Sequence, residues 1–110
     1  MRTNFAALSE LGVPRSVAEE ILHDGVSDIL IRSDLIPEGL YCMYTIFLRP
    51  LNVFELEAAA RILSSKLGID LLPGEVHLST LLHEWGHYKG LKEKEADEFM
   101  LKEIVRRRLK

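Results

Sequence analysis

Five residues in the last third of the chain have types and spacing that could do chemistry: His83-Glu84-Trp85-Gly86-His87. On a helix, residues four apart share one face and stand about 6 Å apart along the axis. Two imidazoles placed in this way converge on one Zn2+, whose bonds to nitrogen run about 2.0–2.1 Å. Glu84 then sits beside the metal without binding it, where it can take a proton from a water held there. Leu81 and Leu82 precede the motif, and Trp85 and Gly86 lie inside it, so the helix is half-buried. Gly86 costs a helix interior about 1 kcal/mol relative to Ala. That cost makes sense where the site needs backbone room.

A catalytic zinc takes three protein ligands and keeps a fourth position open. The third is supplied just downstream, in Leu91-Lys92-Glu93-Lys94-Glu95-Ala96-Asp97-Glu98-Phe99. Gly90 lets the chain reverse, and a following helix can bring a carboxylate to the metal from the side. Glu93, Glu95, Asp97 and Glu98 are the candidates. Helical phase does not separate them, because Ala96, Phe99, Met100, Leu101, Ile104 and Val105 spread over a broad apolar arc.

His83-Glu84-x-Gly86-His87 followed by Glu95-Ala96-Asp97-x-Phe99 resembles the zinc helix and glutamate helix of the gluzincin metallopeptidases. Thermolysin-like enzymes and ImmA/IrrE-type peptidases carry similar Glu-Ala segments, and the short chain is most similar to the minimal gluzincins. The match covers about Leu81 to Met100. By this resemblance Glu95 is the third ligand after His83 and His87, Glu84 is the general base, and the cofactor is Zn2+. The spacing from His87 to Glu95 is shorter than in thermolysin-like enzymes. The resemblance further implies cleavage of extended peptide or protein substrates. It also implies latency, in which a terminal segment or a neighbouring molecule fills the cleft.

Other residues have weaker chemistry. His77 could hydrogen-bond an oxyanion, although an ordinary loop histidine is the plainer expectation. Tyr88 follows the second histidine and either shapes the pocket or packs. Asp97 could hold the free nitrogen of a zinc histidine and fix its tautomer. His23 near a helix C-terminus complements the dipole, and Cys42, in the most apolar segment, reads as a core residue. Arg106-Arg107-Arg108 and Lys110 form a basic helix end. It either complements the dipole or docks on an acidic surface, the chain's own cleft included.

The elements that must position these residues follow from periodicity and punctuation. Thr3 to Leu11 reads as a short helix stopped by Gly12 and Pro14. Ser16-Val17-Ala18-Glu19 reads as a capping box opening a helix to about His23. Asp28 to Arg32 is an expected strand. Leu40 to Leu48, apolar on both faces, is expected to be one covered central strand. Asn52-Val53-Phe54-Glu55 caps a helix to about Leu67, ended by Gly68. Leu71 to Val76 is a loop or short edge strand. Ser79 or Thr80 is expected to cap the motif helix, and a last helix spans about Lys92 to Leu109. The sum is an α+β fold: a small twisted sheet of about three strands backed by helices.

With 110 residues the chain forms one domain, residues 1–110, with its zinc site at 83–95 and its C-terminal helix and tail at 92–110. A net charge of −3 argues against nucleic acid as a partner. A single cysteine excludes an intramolecular disulfide. The longest apolar run is about half a membrane span, and the first residues lack the apolar core of a signal peptide. A cytoplasmic location and no membrane association are therefore expected. The chain has no Gln, only two Asn and many Lys, Arg and Glu, a composition suited to heat. The function these readings support is a zinc endopeptidase acting on unstructured proteins, its substrate adding as a strand to a sheet edge at Asp28–Arg32 or Pro73–His77. The alternatives are a non-catalytic zinc-stabilised interaction domain, its fourth position closed by His77 or the C-terminal carboxylate, and a dedicated regulatory protease of ImmA type.

Overall fold

The computed structural model describes residues 2–108. Along the chain come α1 (Phe5–Glu10), α2 (Arg15–His23), β1 (Asp28–Ile31), β2 (Gly39–Cys42), β3 (Thr45–Leu48), α3 (Val53–Leu67), a 3-10 turn (Pro73–Glu75), α4 (Val76–Tyr88) and α5 (Glu93–Arg108). The fold is α+β, with a three-stranded sheet packed on helices. Lys110 and the expected helix end at Leu109 lie outside the described residues.

The sheet order is β1-β3-β2. β3 runs parallel to β1, with Ile46 opposite Ile29, and antiparallel to β2, with Ile46 opposite Tyr41. Ile29, Ile46 and Leu48 are buried. The expected single strand from Leu40 to Leu48 is instead a hairpin, because the chain turns at Met43-Tyr44, where φ is 49° and 65°. Neither residue is a usual turn former, so the reversal has no sequence signal. β3 keeps the central place expected of that segment, whereas β2 becomes an edge strand. Cys42, expected in the core, is consequently exposed.

Helix starts show which capping signals hold. Asn52 caps α3 as expected: its side chain accepts the Glu55 N–H at 2.9 Å, and Glu55 accepts the Asn52 N–H at 3.1 Å. The Ser16 capping box does not form. Pro14, with φ of −62°, caps α2, which starts two residues earlier at Arg15, and Glu19 pairs with Arg15 instead. α4 likewise starts at Val76 rather than at Ser79 or Thr80, and the Ser79 hydroxyl donates to the Val76 carbonyl at 2.7 Å. Pro73-Gly74 winds into the 3-10 turn that leads into α4, so of the loop or short edge strand expected between Leu71 and Val76 the strand does not form.

α4 is the central element. It packs on β2 and β3 on one side and on α5 along another. Leu81, Leu82 and Trp85 are buried in one cluster with Ile46, Leu48, Met100 and Ile104. Each such side chain contributes about 1.5–3 kcal/mol on burial. The motif helix is thus among the most firmly held parts of the molecule.

Candidate metal centre

The junction between α4 and α5 sets the geometry of the site. Gly90 has φ of 90°, which lets the Leu91 N–H reach the Gly86 carbonyl at 3.0 Å while the Gly90 N–H reaches that of His87 at 3.0 Å. This paired closure reverses the chain sharply after Tyr88. α5 then crosses α4 at Gly86. A Cβ on Gly86 would lie 3.2 Å from Cα and Cβ of Ala96 and 3.3 Å from Phe99. Gly86 therefore lets the start of α5 approach the histidine pair closely.

Both imidazoles are oriented from behind. His83 Nδ1 lies 2.9 Å from Asp97 Oδ1, and the other oxygen of Asp97 holds Lys66 Nζ at 2.7 Å. His87 Nδ1 lies 2.8 Å from the Leu91 carbonyl. A carboxylate and a carbonyl accept only, so each Nδ1 carries its proton and donates. The two Nε2 atoms are left facing each other at 3.0 Å. In the neutral rings both present lone pairs, an arrangement that could hold a metal ion.

A carboxylate from α5 also reaches the pair, that of Glu93. Its Oε1 stands 2.7 Å from His87 Nε2 and its Oε2 3.4 Å from His83 Nε2. The expectation of Glu95 is corrected. Glu95 Oε1 accepts the Lys92 N–H at 3.1 Å and closes the first turn of α5. Residues two apart on a helix point about 200° from each other, whereas Glu93 and Asp97 are four apart and share a face. Burial alone would raise the Glu93 carboxyl, but the two histidines hold it below the usual carboxylate range. Burial alone would depress the His87 imidazole, but the Leu91 carbonyl and the Glu93 and Glu84 carboxylates raise it. Both shifts follow from carboxylates lying close to the imidazoles.

Glu84 lies beside the pair on the same helix and lines the same cavity as His83 and Glu93. Ligand atoms of His83, Glu84 and His87 lie within 4.8 Å of one another, a group that could hold a metal ion. Glu93 touches both Nε2 atoms, whereas Glu84 is only 9% exposed and is wedged under β2. A Cβ on Gly39 would meet Thr80 Cγ2 at 2.5 Å and Glu84 Cγ at 3.2 Å. Burial pushes the Glu84 carboxyl up, against the two histidines and a hydrogen bond from the Tyr41 backbone. A carboxyl raised by burial, beside a group that could hold a metal ion, is placed for proton transfer.

The remaining expectations divide. Asp97 does hold a histidine nitrogen. His77 is buried on the first turn of α4, where its Nε2 accepts the Leu51 N–H at 3.1 Å, so it does not reach the histidine pair. Tyr88 donates to the Asp24 carbonyl at 2.9 Å and packs edge-on against Tyr41 and Tyr44. Arg106 and Arg107 pair with Glu20 and Glu103, and Arg108 pairs with Glu75. These pairs lie at the end of α5 remote from Glu93, about 24 Å along a 16-residue helix. Within one molecule the arginines therefore do not dock in the cleft. Sequence reasoning missed Lys66, Gly39 and the Leu91 carbonyl. None of the three belongs to a sequence motif.

Comparison of the chain with protein-family models, curated proteins and solved structures finds no match. No helix among the described residues is long and apolar enough to cross a membrane.

Proposed function

We propose that the chain is a zinc-dependent endopeptidase, with His83, His87 and Glu93 as metal ligands and Glu84 as general base. The observation that carries this reading is the pair of Nε2 atoms at 3.0 Å, each ring fixed from behind through Nδ1, with Glu93 closing a third side. The donor set of two imidazoles and one carboxylate suits Zn2+ at an open, catalytic site. When bound, Zn2+ supplies Lewis acidity for a scissile carbonyl and makes a water acidic near neutral pH.

The chain's own residues do the rest. Glu84, raised by burial, accepts a proton from the attacking water and returns it to the leaving nitrogen. Asp97 and the Leu91 carbonyl stabilise each histidine in the tautomer that presents Nε2. Lys66 neutralises the far oxygen of Asp97. The cleft lies beside β2 and His83, lined by Gly39, Thr80, His83, Glu84 and Glu93. Beyond β3, the other side of β2 is a sheet edge among the described residues. An extended peptide added there would pass over Glu84. This replaces the two edges expected from sequence, since β1 lies across the sheet and Pro73–Glu75 is a turn.

The test is cleavage of unstructured casein by the zinc-loaded protein, with and without a chelator. The expected result is cleavage that a chelator abolishes and added Zn2+ restores. One bound zinc with no cleavage at any dilution would overturn this reading in favour of a non-catalytic zinc domain.

A further inference from the structure

The hairpin between β2 and β3 turns through a conformation its residues disfavour, with the Tyr44 carbonyl accepting the Ser27 N–H at 2.7 Å. A two-residue turn with positive φ at both central positions favours Asn-Gly. Here those positions hold Met43 and Tyr44, at φ of 49° and 65°, where bulky side chains are outliers. Both are large, apolar and exposed, Met43 at 85% and Tyr44 at 61%. Strain of this kind persists where surrounding structure enforces it, and it concentrates at sites of function.

The place of the turn supplies the function. Thr80, Glu84 and Tyr88 are four apart along α4 and form one row beside the histidines. β2 runs along that row: Gly39 lies over Thr80 and Glu84, and the Tyr41 ring meets Tyr88 at 5.9 Å. Tyr44 continues the line, its ring 6.4 Å from Tyr88 and nearly edge-on. The unpaired edge of β2 thus ends at an aromatic cluster, next to the helix turn that carries His87. A peptide strand laid on that edge presents alternate side chains to one face, so one of them falls on the cluster.

We propose that Met43, Tyr44, Tyr41 and Tyr88 form a specificity site for an aromatic or large aliphatic side chain of an extended peptide, on one flank of the scissile bond. The inference rests on the peptidase reading and names its substrate class. The turn keeps two unfavourable residues because they supply rigid apolar and aromatic contact surface at low entropic cost.

The test replaces the tip with the residues its geometry prefers, Met43→Asn together with Tyr44→Gly. Wild type and variant, zinc-loaded, are compared on a peptide library varied on both flanks. Binding of the same peptides to Glu84→Gln protein is measured in parallel. Wild type is expected to prefer aromatic or large aliphatic residues at one flanking position by about tenfold or more. The variant is expected to lose that preference, keep cleavage of peptides lacking it, and melt about 4 °C or more higher. Cleavage by wild type with an unchanged preference in the variant would overturn the site. So would a variant that melts below wild type, which would make the tip a packing element, or one that differs only in self-association. Failure of wild type to cleave or bind any peptide would overturn the peptidase reading itself.

Discussion

Glu93 and Glu95 stand two residues apart and do different work, one facing the histidines and the other closing the helix start. Replacing each by Ala separates the roles. Glu93→Ala should weaken zinc by well over the 10–100-fold typical of losing a residue behind a ligand, and Asp97→Ala by about that range. Glu95→Ala should leave affinity within a few-fold and lower stability by about 0.5–2 kcal/mol. Competition with a chromogenic chelator reads all three, and a larger loss from Glu95→Ala would reverse the assignment. The two histidines were legible in the sequence because their spacing alone fixes a common face, and Glu84 because it adjoins the first of them. The carboxylate was not, since a Glu-Ala pair drew attention to Glu95 while the deciding fact was a shared face with Asp97. That face appears only once α5 is docked through Ala96, Met100 and Ile104.

At the scale of elements, the crossing of α4 and α5 depends on Gly86. Helix propensity alone says that Gly86→Ala should stabilise by about 1 kcal/mol. The added Cβ would instead press on the backbone of Ala96 at 3.2 Å, and overpacking costs about 1–3 kcal/mol. The variant should therefore melt lower and bind zinc more weakly, because α5 carries Glu93. A higher Tm with unchanged zinc affinity would contradict the close crossing. The start of α4 has its own signature in His77, whose imidazole burial keeps below its ordinary pKa despite contacts with the Arg49 and Leu11 backbone and the charge of Glu38. The fold then favours the neutral ring, and the unfolded chain binds more protons as pH falls below about 6.5, so stability falls with pH. His87 works oppositely in the metal-free protein, since its raised pKa adds stability that is lost as pH rises. Comparing chelated wild type with His77→Gln cancels that second contribution. The variant should lose less stability between about pH 7 and 5, and identical slopes in urea titrations would contradict the buried role. Helix starts read well where a side chain caps, as at Asn52, and poorly where Pro14 or a 3-10 turn sets the start. The hairpin at Met43-Tyr44 was hidden because its residues resist the conformation they adopt.

For the whole molecule, the far end of α5 ties the last helix to the rest of the fold. Arg108 bonds Glu75 and donates to the Asp70 carbonyl at 2.8 Å, and it holds the Glu75 carboxyl below the usual range. Arg108→Ala should cost about 1 kcal/mol of stability, given a partly exposed pair, and should not raise activity. Activation by this change would show that the basic end restrains the cleft after all. The α+β class and the order of most elements were legible from periodicity and punctuation, whereas the sheet edge beside the cleft was not, because it exists only once the hairpin folds. The measurement that bears most directly on the centre is casein cleavage by wild type beside Glu84→Ala, each with its zinc content determined. Both proteins should hold one zinc with affinities within a few-fold, and only wild type should cleave. A Glu84→Ala protein as active as wild type would contradict the mechanism, and one that loses its zinc would make Glu84 a ligand in place of Glu93.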